Sequence, residues 1–327
     1  MNILFTNYCN QKCSYCFAAY KLKLSQPTVK SYISTKNLRK IINFCKKSNV
    51  NHVGILGGEP TLHPDFSKAI KMIASEGLRF TIFSNGIIRN KKDILFLRDI
   101  EDKKCNIIIN INAPDSYKGG GYARVKETLQ MLHKKISLGF NIYQEELETY
   151  FLIELVKKYN LKREIRLGIA SPILGYDNQY VPLDKHRIIA KKIVEFAGRC
   201  DEADIACYFD CGFTLCSFTR SECGKLHYFN AHLVTHCKPV IDVAPDLTVW
   251  QCFVTSTLWN RKLTDFKDMD EILRFYENKF KGFRKVGATE KCLSCKYLLR
   301  KQCSGGCLAH TLRSFNVERK IGKGVFL

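Results

Sequence analysis

Six short apolar runs, several followed by stretches of helical periodicity, predict an α/β fold with parallel strands for residues 1–206. Two more observations shape the outline. The connections are short, so successive strands are expected to join through right-handed βαβ crossovers. The cysteines are also unevenly spread: three fall at Cys9, Cys13 and Cys16, and nine lie between Cys211 and Cys307. The expected architecture is an open partial barrel of six (β/α) units over residues 1–206, followed by a small cysteine-rich unit over residues 207–327, and the chain is long enough for both.

The elements follow in order. Asn2-Ile3-Leu4-Phe5-Thr6-Asn7 is the first strand-like run, and Val53–Leu56, Phe80–Phe83, Cys105–Ile111, Phe140–Tyr143 and Glu164–Ala170 are the next five. Leu38, Ile41, Ile42 and Cys45 share one helical face, as do Phe66, Ala69, Ile70 and Ile73. Leu147, Phe151 and Leu155 form a third stripe, and Ile189, Ile193, Phe196 and Cys200 a fourth. Gly119-Gly120-Gly121 is either a rim of the active site or a connection to the next helix. Catalytic groups of such barrels sit on loops at the C-terminal ends of the strands. Three motifs occur there: the cysteine triplet, Gly57-Gly58-Glu59-Pro60 after the second run, and Ser84-Asn85-Gly86 after the third.

Three thiolates spaced three and then two residues apart can hold three irons of a [4Fe–4S] cluster, which ordinarily takes four cysteines. The fourth iron is then open to a small molecule. A structural zinc knuckle with a distant fourth ligand is the alternative. The triplet, with Tyr15 just before its last cysteine and a strand ending in Gly-Gly-Glu downstream, resembles the signature of the radical S-adenosylmethionine (radical SAM) enzymes. That resemblance implies a TIM-like partial barrel and a SAM-binding cluster on Cys9, Cys13 and Cys16. It also implies SAM cleavage to a 5′-deoxyadenosyl radical, chemistry that the cofactor carries. By the same resemblance Tyr15, Gly57, Gly58, Glu59, Ser84, Asn85, Arg166 and Ile169 bind SAM, with Glu59 the carboxylate partner of its ammonium.

The second cysteine field resembles the SPASM extension of that family, which carries auxiliary [4Fe–4S] clusters. Cys237 and Cys252 flank a predicted hairpin, Val240–Val243 and Leu247–Trp250, turned at Pro245-Asp246. By the family pattern Cys237, Cys252 and Cys307 belong to the first auxiliary cluster, and Cys292, Cys295 and Cys303 to the second. No cysteine follows Cys307, so the missing ligands come from Cys211, Cys216 and Cys223, or one iron stays open. Nine cysteines serve two clusters that need eight. A zinc site on Cys292, Cys295, Cys303 and Cys307 is the alternative, and His236 is a further possible ligand. Cys45, Cys105 and Cys200 are expected in the core, where cysteine behaves as a small hydrophobe, and Cys207 either there or near a cluster.

The formal charge of +21 would be lowered by three such clusters, and Lys and Arg are scattered without long runs. A solvated surface is the simple reading; recruitment of an acidic peptide or of nucleic acid is the sharper one. With no secretory signal and no apolar run of about 20 residues, the chain is expected to be soluble and cytoplasmic. SPASM-bearing enzymes mostly modify peptides or proteins, so the resemblance implies a maturase of a ribosomally made peptide. Its implied partners are a peptide or protein substrate, a separate leader-binding protein, and an external electron donor such as flavodoxin or ferredoxin. Because the chain opens on the first barrel strand, leader recognition is expected elsewhere. A small-molecule radical SAM enzyme and a zinc-ribbon nucleic-acid-binding protein are the alternatives. Phe253 stands where the sulfatase-maturing subgroup typically has Asp. Asp210, Asp242, Asp115 and Glu222 are the candidate general bases.

Overall fold

The computed structural model describes residues 1–22, 28, 31–146, 148–315 and 317. The six expected strands are present as β1 (Asn2–Leu4), β2 (His52–Leu56), β3 (Arg79–Ser84), β4 (Cys105–Asn110), β5 (Ile136–Ile142) and β6 (Glu164–Ile169). They pair in sequence order, all parallel. The sheet then continues through β7 (Ala206–Phe209) and β8 (His232–Leu233), again parallel. Residues 206 and 207, on either side of the expected boundary between the two units, thus lie within one strand.

The helices that cross between strands are α1 (Thr35–Lys47), α2 (Phe66–Ser75), α3 (Lys91–Asp99), α4 (Gly121–Leu132), α5 (Phe151–Tyr159) and α6 (His186–Glu202). The predicted stripes of α1, α2 and α6 are buried throughout. Leu147, the first residue of the α5 stripe, lies outside the described residues. Two crossover helices escaped the periodicity argument. α3 buries little more than Ile94 and Leu97, and α4 only Val125, Leu129 and Leu132 among its large apolar residues. The triple glycine is a connection: Gly120, at φ 76°, is the N-cap of α4.

Glycines inside strands mark close approach, and here they follow a rule. Asn2 is in register with Gly54, Asn110 with Gly139, and Asn141 with Gly168. A Cβ on these glycines would lie 2.2, 2.5 and 2.8 Å from the Oδ1 of the paired asparagine. Each amide therefore lies flat over the next strand's backbone. The alternation lets polar side chains share a face with packed strands.

The cysteine-rich region returns to the opposite edge of the sheet. β9 (Ile241–Val243) pairs parallel with β1 and antiparallel with β10 (Thr248–Gln251), which pairs with β11 (Arg261–Lys262). Asn2 Nδ2 donates to Asp242 Oδ1 at 2.7 Å across the β1–β9 seam. Beside it Leu4, Ala18, Leu56, Ala244, Trp250 and Phe253 form a small second core, with Cys16 against it. Phe253 thus fills a structural position, packing on Trp250 and Phe17.

Asp242 is fully enclosed, and burial pushes its carboxyl up to about 7 against the opposing pull of Asn2. The folded chain therefore holds this proton more tightly than the unfolded one, and its contribution to stability is lost as pH rises from about 4 to 7. Asp242→Asn, which resembles the protonated acid, should raise the apparent Tm at pH 8 by roughly 2–8 °C, equivalent to about 1–2 kcal/mol. The gain should shrink as pH is lowered towards 5. Thermal melts of both proteins across this range check it; a constant difference would refute the buried-charge account.

Candidate active site

The cysteine loop leaves β1 and is clamped from four sides by loops at the C-terminal ends of other strands. After β3, Asn85 Nδ2 donates to Asn10 Oδ1 at 2.8 Å, and Asn10 Nδ2 donates to the Ile87 carbonyl at 3.1 Å. After β4, Asn112 accepts from the Tyr15 hydroxyl and donates to Gln11 Oε1 at 3.1 Å. After β5, Tyr143 stacks on Tyr15 with ring centroids 4.6 Å apart. Beyond β6, Gln179 N donates to the Ser14 carbonyl at 3.0 Å. Asn10, Gln11, Asn112, Tyr143 and Gln179 were not singled out from sequence; the only signal was the position of Asn112 and Tyr143 just past apolar runs.

Amides also face the sulfurs. Gln11 N donates to Cys9 Sγ at 3.4 Å, Asn85 Nδ2 approaches Cys9 Sγ at 3.8 Å, and Asn112 Nδ2 approaches Cys13 Sγ at 3.5 Å. Burial pushes the Cys9 thiol up to about 12, with Glu59, Cys16 and Cys13 adding to the rise, and pushes Cys16 up to about 11. Without iron both are protonated; binding iron replaces those protons, which couples affinity to pH. Three neighbouring thiols with N–H donors aimed at sulfur fit a thiolate-ligated cluster, whose properties such donors tune.

Gly57 and Gly58 pack against the backbone leaving β1. A Cβ on Gly57 would lie 2.4 Å from the Thr6 carbonyl oxygen, and one on Gly58 2.2 Å from that of Tyr8. Gly58 N donates to Thr6 O at 2.8 Å, and Glu59 N to Tyr8 O at 2.9 Å. The glycines let the β2 loop close against the chain that leads into the cysteines.

Glu59 follows the two glycines. Its carboxylate is wholly buried and already engaged. Oε1 accepts from Thr61 N at 3.2 Å, Thr61 Oγ1 at 2.7 Å and Ser84 Oγ at 2.9 Å, and Oε2 accepts from Asn85 N at 2.8 Å. Burial pushes its pKa up while these four donors pull it down. A carboxylate with no exposed surface braces the loops after β2 and β3. Ser84 is likewise buried, donating to Glu59, whereas the Asn85 side chain faces the cysteine loop.

Arg166 and Ile169 lie further round the sheet. Arg166 Nε donates to Asp210 Oδ1 at 2.5 Å, and its guanidinium sits 5.5 Å from the Phe83 ring centre. Burial raises the Asp210 carboxyl against the pull of Arg166. Ile169 packs beneath Gly212, beside Cys211. Of the other acids considered as bases, Asp242 is sealed in the sheet, Glu222 forms a two-pronged pair with Arg187 (2.5 and 2.7 Å), and Asp115 is exposed.

The downstream cysteines divide by location. Cys211, Cys237, Cys252 and Cys307 are electrostatic neighbours: Cys211 feels Cys307 and Cys237, and Cys252 feels Cys307, Cys211 and Cys237. Cys216, Cys292, Cys295 and Cys303 instead line one small cavity. Cys223 joins neither set; it lies on α7 (Arg220–Tyr228), partly buried against the main core. Cys45, Cys105, Cys200 and Cys207 are buried in that core, where the free thiols of Cys207 and Cys200 share a hydrogen bond. His236 Nε2 meets the Lys301 carbonyl oxygen. Among the described residues no three His, Cys, Asp or Glu side chains are close enough to hold a single metal ion; a four-iron cluster instead takes one thiolate at each iron. Among them, too, no helix is long and apolar enough to cross a membrane.

Glu59→Gln places an amide N–H₂ where a backbone or hydroxyl donor now points, at a cost of about 1–3 kcal/mol. The apparent Tm and SAM affinity should therefore fall together, because the loops after β2 and β3 loosen together. Calorimetric titration with SAM and a thermal melt check it; weakened SAM binding with an unchanged Tm would identify Glu59 as a direct ligand contact.

Residues 3–146 match the sequence profile described as the Radical SAM superfamily. The chain is similar to a GTP 3',8-cyclase of Alkaliphilus metalliredigens, 29% identical over 136 residues, or 40% of this chain and 42% of that protein. The chain therefore spans about two fifths of the length of the first curated relatives it matches. Its fold is similar to Streptococcus suis SuiB bound to precursor peptide SuiA, with a TM-score of 0.66 at 18% identity over 95% of this chain and 72% of that one. It is also similar to anSMEcpe with bound AdoMet and Kp18Cys peptide, with a TM-score of 0.65 at 15% identity over 99% and 100%. The profile match over residues 3–146 coincides with the cysteine triplet at the end of β1 and the parallel sheet around it, so this part of the chain carries a domain similar to the radical SAM superfamily.

Proposed function

We propose that the protein is a radical SAM maturase that modifies a ribosomally made peptide or protein, with one SAM-binding cluster in the barrel and two auxiliary clusters in residues 207–327. The observation that carries this reading is the gathering of two sets of four cysteines beside the open end of the barrel. An extension rich in thiols beside the triplet suits a substrate anchored at a second centre. SuiB and anSMEcpe, similar in fold over nearly the whole chain, are described with bound peptides. GTP 3',8-cyclase, similar over the barrel, makes a nucleotide or other small molecule the second reading.

On this reading Cys9, Cys13 and Cys16 hold the SAM-binding cluster, and Cys211, Cys237, Cys252 and Cys307 the first auxiliary one. When bound and reduced, the cluster and SAM supply the radical that removes a substrate hydrogen. The chain's residues position and shelter that chemistry. Tyr15, stacked on Tyr143 and bonded to Asn112, holds the triplet loop in place. Glu59 and Ser84 set the loops flanking the SAM pocket, and Asn85 faces the cluster sulfurs. Arg166 and Asp210 bridge from the barrel to the Cys211 loop and offer a charged pair to a substrate at the barrel mouth. An external flavodoxin- or ferredoxin-type donor would supply the electron, and a separate protein would recognise the peptide leader.

After anaerobic reconstitution the protein should carry about twelve irons, four for each cluster. Replacing Cys9, Cys13 and Cys16 together by Ala should leave about eight and abolish 5′-deoxyadenosine formation. Iron analysis and chromatography of the nucleoside products check both; a wild-type count near four would remove the auxiliary clusters while sparing the barrel chemistry.

The substrate class is tested with a synthetic peptide matching any short reading frame that sequencing finds beside the gene. With SAM and reductant, mass spectrometry should find a changed peptide mass and one 5′-deoxyadenosine per modification. Turnover of GTP with an unmodified peptide would favour the second reading.

A further inference from the structure

The turn at Leu215–Ser217 presents Cys216 to the cavity lined by Cys292, Cys295 and Cys303. The turn is held on both sides. Thr214 Oγ1 and Ser217 Oγ are 2.8 Å apart, and the Ser217 carbonyl accepts from Arg187 Nη1 at 2.8 Å. The same guanidinium grips Glu222, tying the turn to α6 and α7. The opposite wall is built for sulfur. A Cβ on Gly287 would lie 2.8 Å from Cys292 Sγ, one on Gly305 only 2.6 Å from Gly287 Cα, and both residues have positive φ (68° and 72°). Two bare glycine backbones therefore pack against each other beside the Cys292 thiol, and Gly305 N donates to Cys303 Sγ at 3.3 Å.

We propose that Cys216 is the fourth thiolate of the second auxiliary cluster, with Cys292, Cys295 and Cys303. The inference rests on the auxiliary-cluster reading above and adds its missing ligand. Each thiol gives up its proton as its sulfur binds iron, and no change of oxidation state is required for that step. Cys211 and Cys216 then serve different clusters from one short stretch at the end of β7. That stretch binds the two centres to each other and to the barrel. Cys223, on the core-facing side of α7, is the spare cysteine.

The test compares the reconstituted wild type with Cys216→Ala, Cys303→Ala, Cys211→Ala, Cys223→Ala and the doubles Cys216→Ala/Cys303→Ala and Cys216→Ala/Cys211→Ala. Iron analysis, Mössbauer spectra and EPR of the reduced proteins are read on each. Cys216→Ala should lose about one to four irons as its cluster becomes a three-iron form or departs, and so should Cys303→Ala. Their double should lose no more than the larger single loss, whereas adding Cys211→Ala should extend the loss to another cluster. Cys223→Ala should match the wild type. Cys216 is exposed, so its truncation leaves no core cavity; Cys216→Ser, offering oxygen in place of sulfur, should keep iron while shifting one EPR signal. A twelve-iron wild type whose Cys216→Ala and Cys216→Ser variants are spectrally unchanged would overturn this assignment alone. A four-iron wild type would overturn the auxiliary-cluster reading beneath it.

Discussion

Everything at the barrel mouth depends on how closely the β2 loop can approach the chain leaving β1. Gly57 and Gly58 lie where any side chain would strike the carbonyl oxygens of Thr6 and Tyr8. Only because that contact is free of side chains can Glu59 turn inward and collect four hydrogen bonds from Thr61, Ser84 and Asn85. One buried carboxylate thereby joins the loops after β2 and β3. Asn85, held at its backbone by Glu59, carries the link on to Asn10 and the sulfur of Cys9. A buried charge of this kind is costly unless satisfied, and here it is satisfied on both oxygens, so the loops have one arrangement available to them.

A second constraint acts along the strands. The pairing of Asn2 with Gly54, Asn110 with Gly139 and Asn141 with Gly168 lays polar amides over bare backbone. Strands with large residues at both positions would either clash or fill the space. The pattern lets apolar packing against the helices coexist with a polar side on the same sheet, and Asp210 and Arg166 continue it towards β7.

The return of the chain from β8 to β1 makes the cysteine-rich region part of the barrel's architecture. β9 extends the sheet at β1, the Asn2–Asp242 bond closes the seam, and the second small core joins Trp250 and Phe253 to the cysteine loop through Ala18 and Cys16. The ends of β1 and β7 are thereby coupled to the same downstream segment. A change in the cysteine-rich region can then be felt at the triplet through packed atoms.

The sequence by itself determined the parallel α/β order, the strand ends that carry the three motifs, and the core roles of Cys45, Cys105 and Cys200. These depend on local periodicity and on spacing, which a chain carries whatever surrounds it. It left α3 and α4 unread because their apolar faces are narrow, and the sheet's growth to β7 and β8 because those strands are short. Tertiary structure alone decided what Glu59 touches, since a carboxylate after two glycines can face a ligand or the protein and only the neighbouring loops choose. The same holds for the cysteines. Spacing grouped Cys292 with Cys295 and Cys303, but Cys211, Cys216 and Cys223 were equivalent on paper. One extends from β7 towards Cys237, Cys252 and Cys307, one sits on a turn facing the cavity, and one is carried by a helix into the core. Long-range contacts separated them, because a side chain's direction is set by what its backbone packs against.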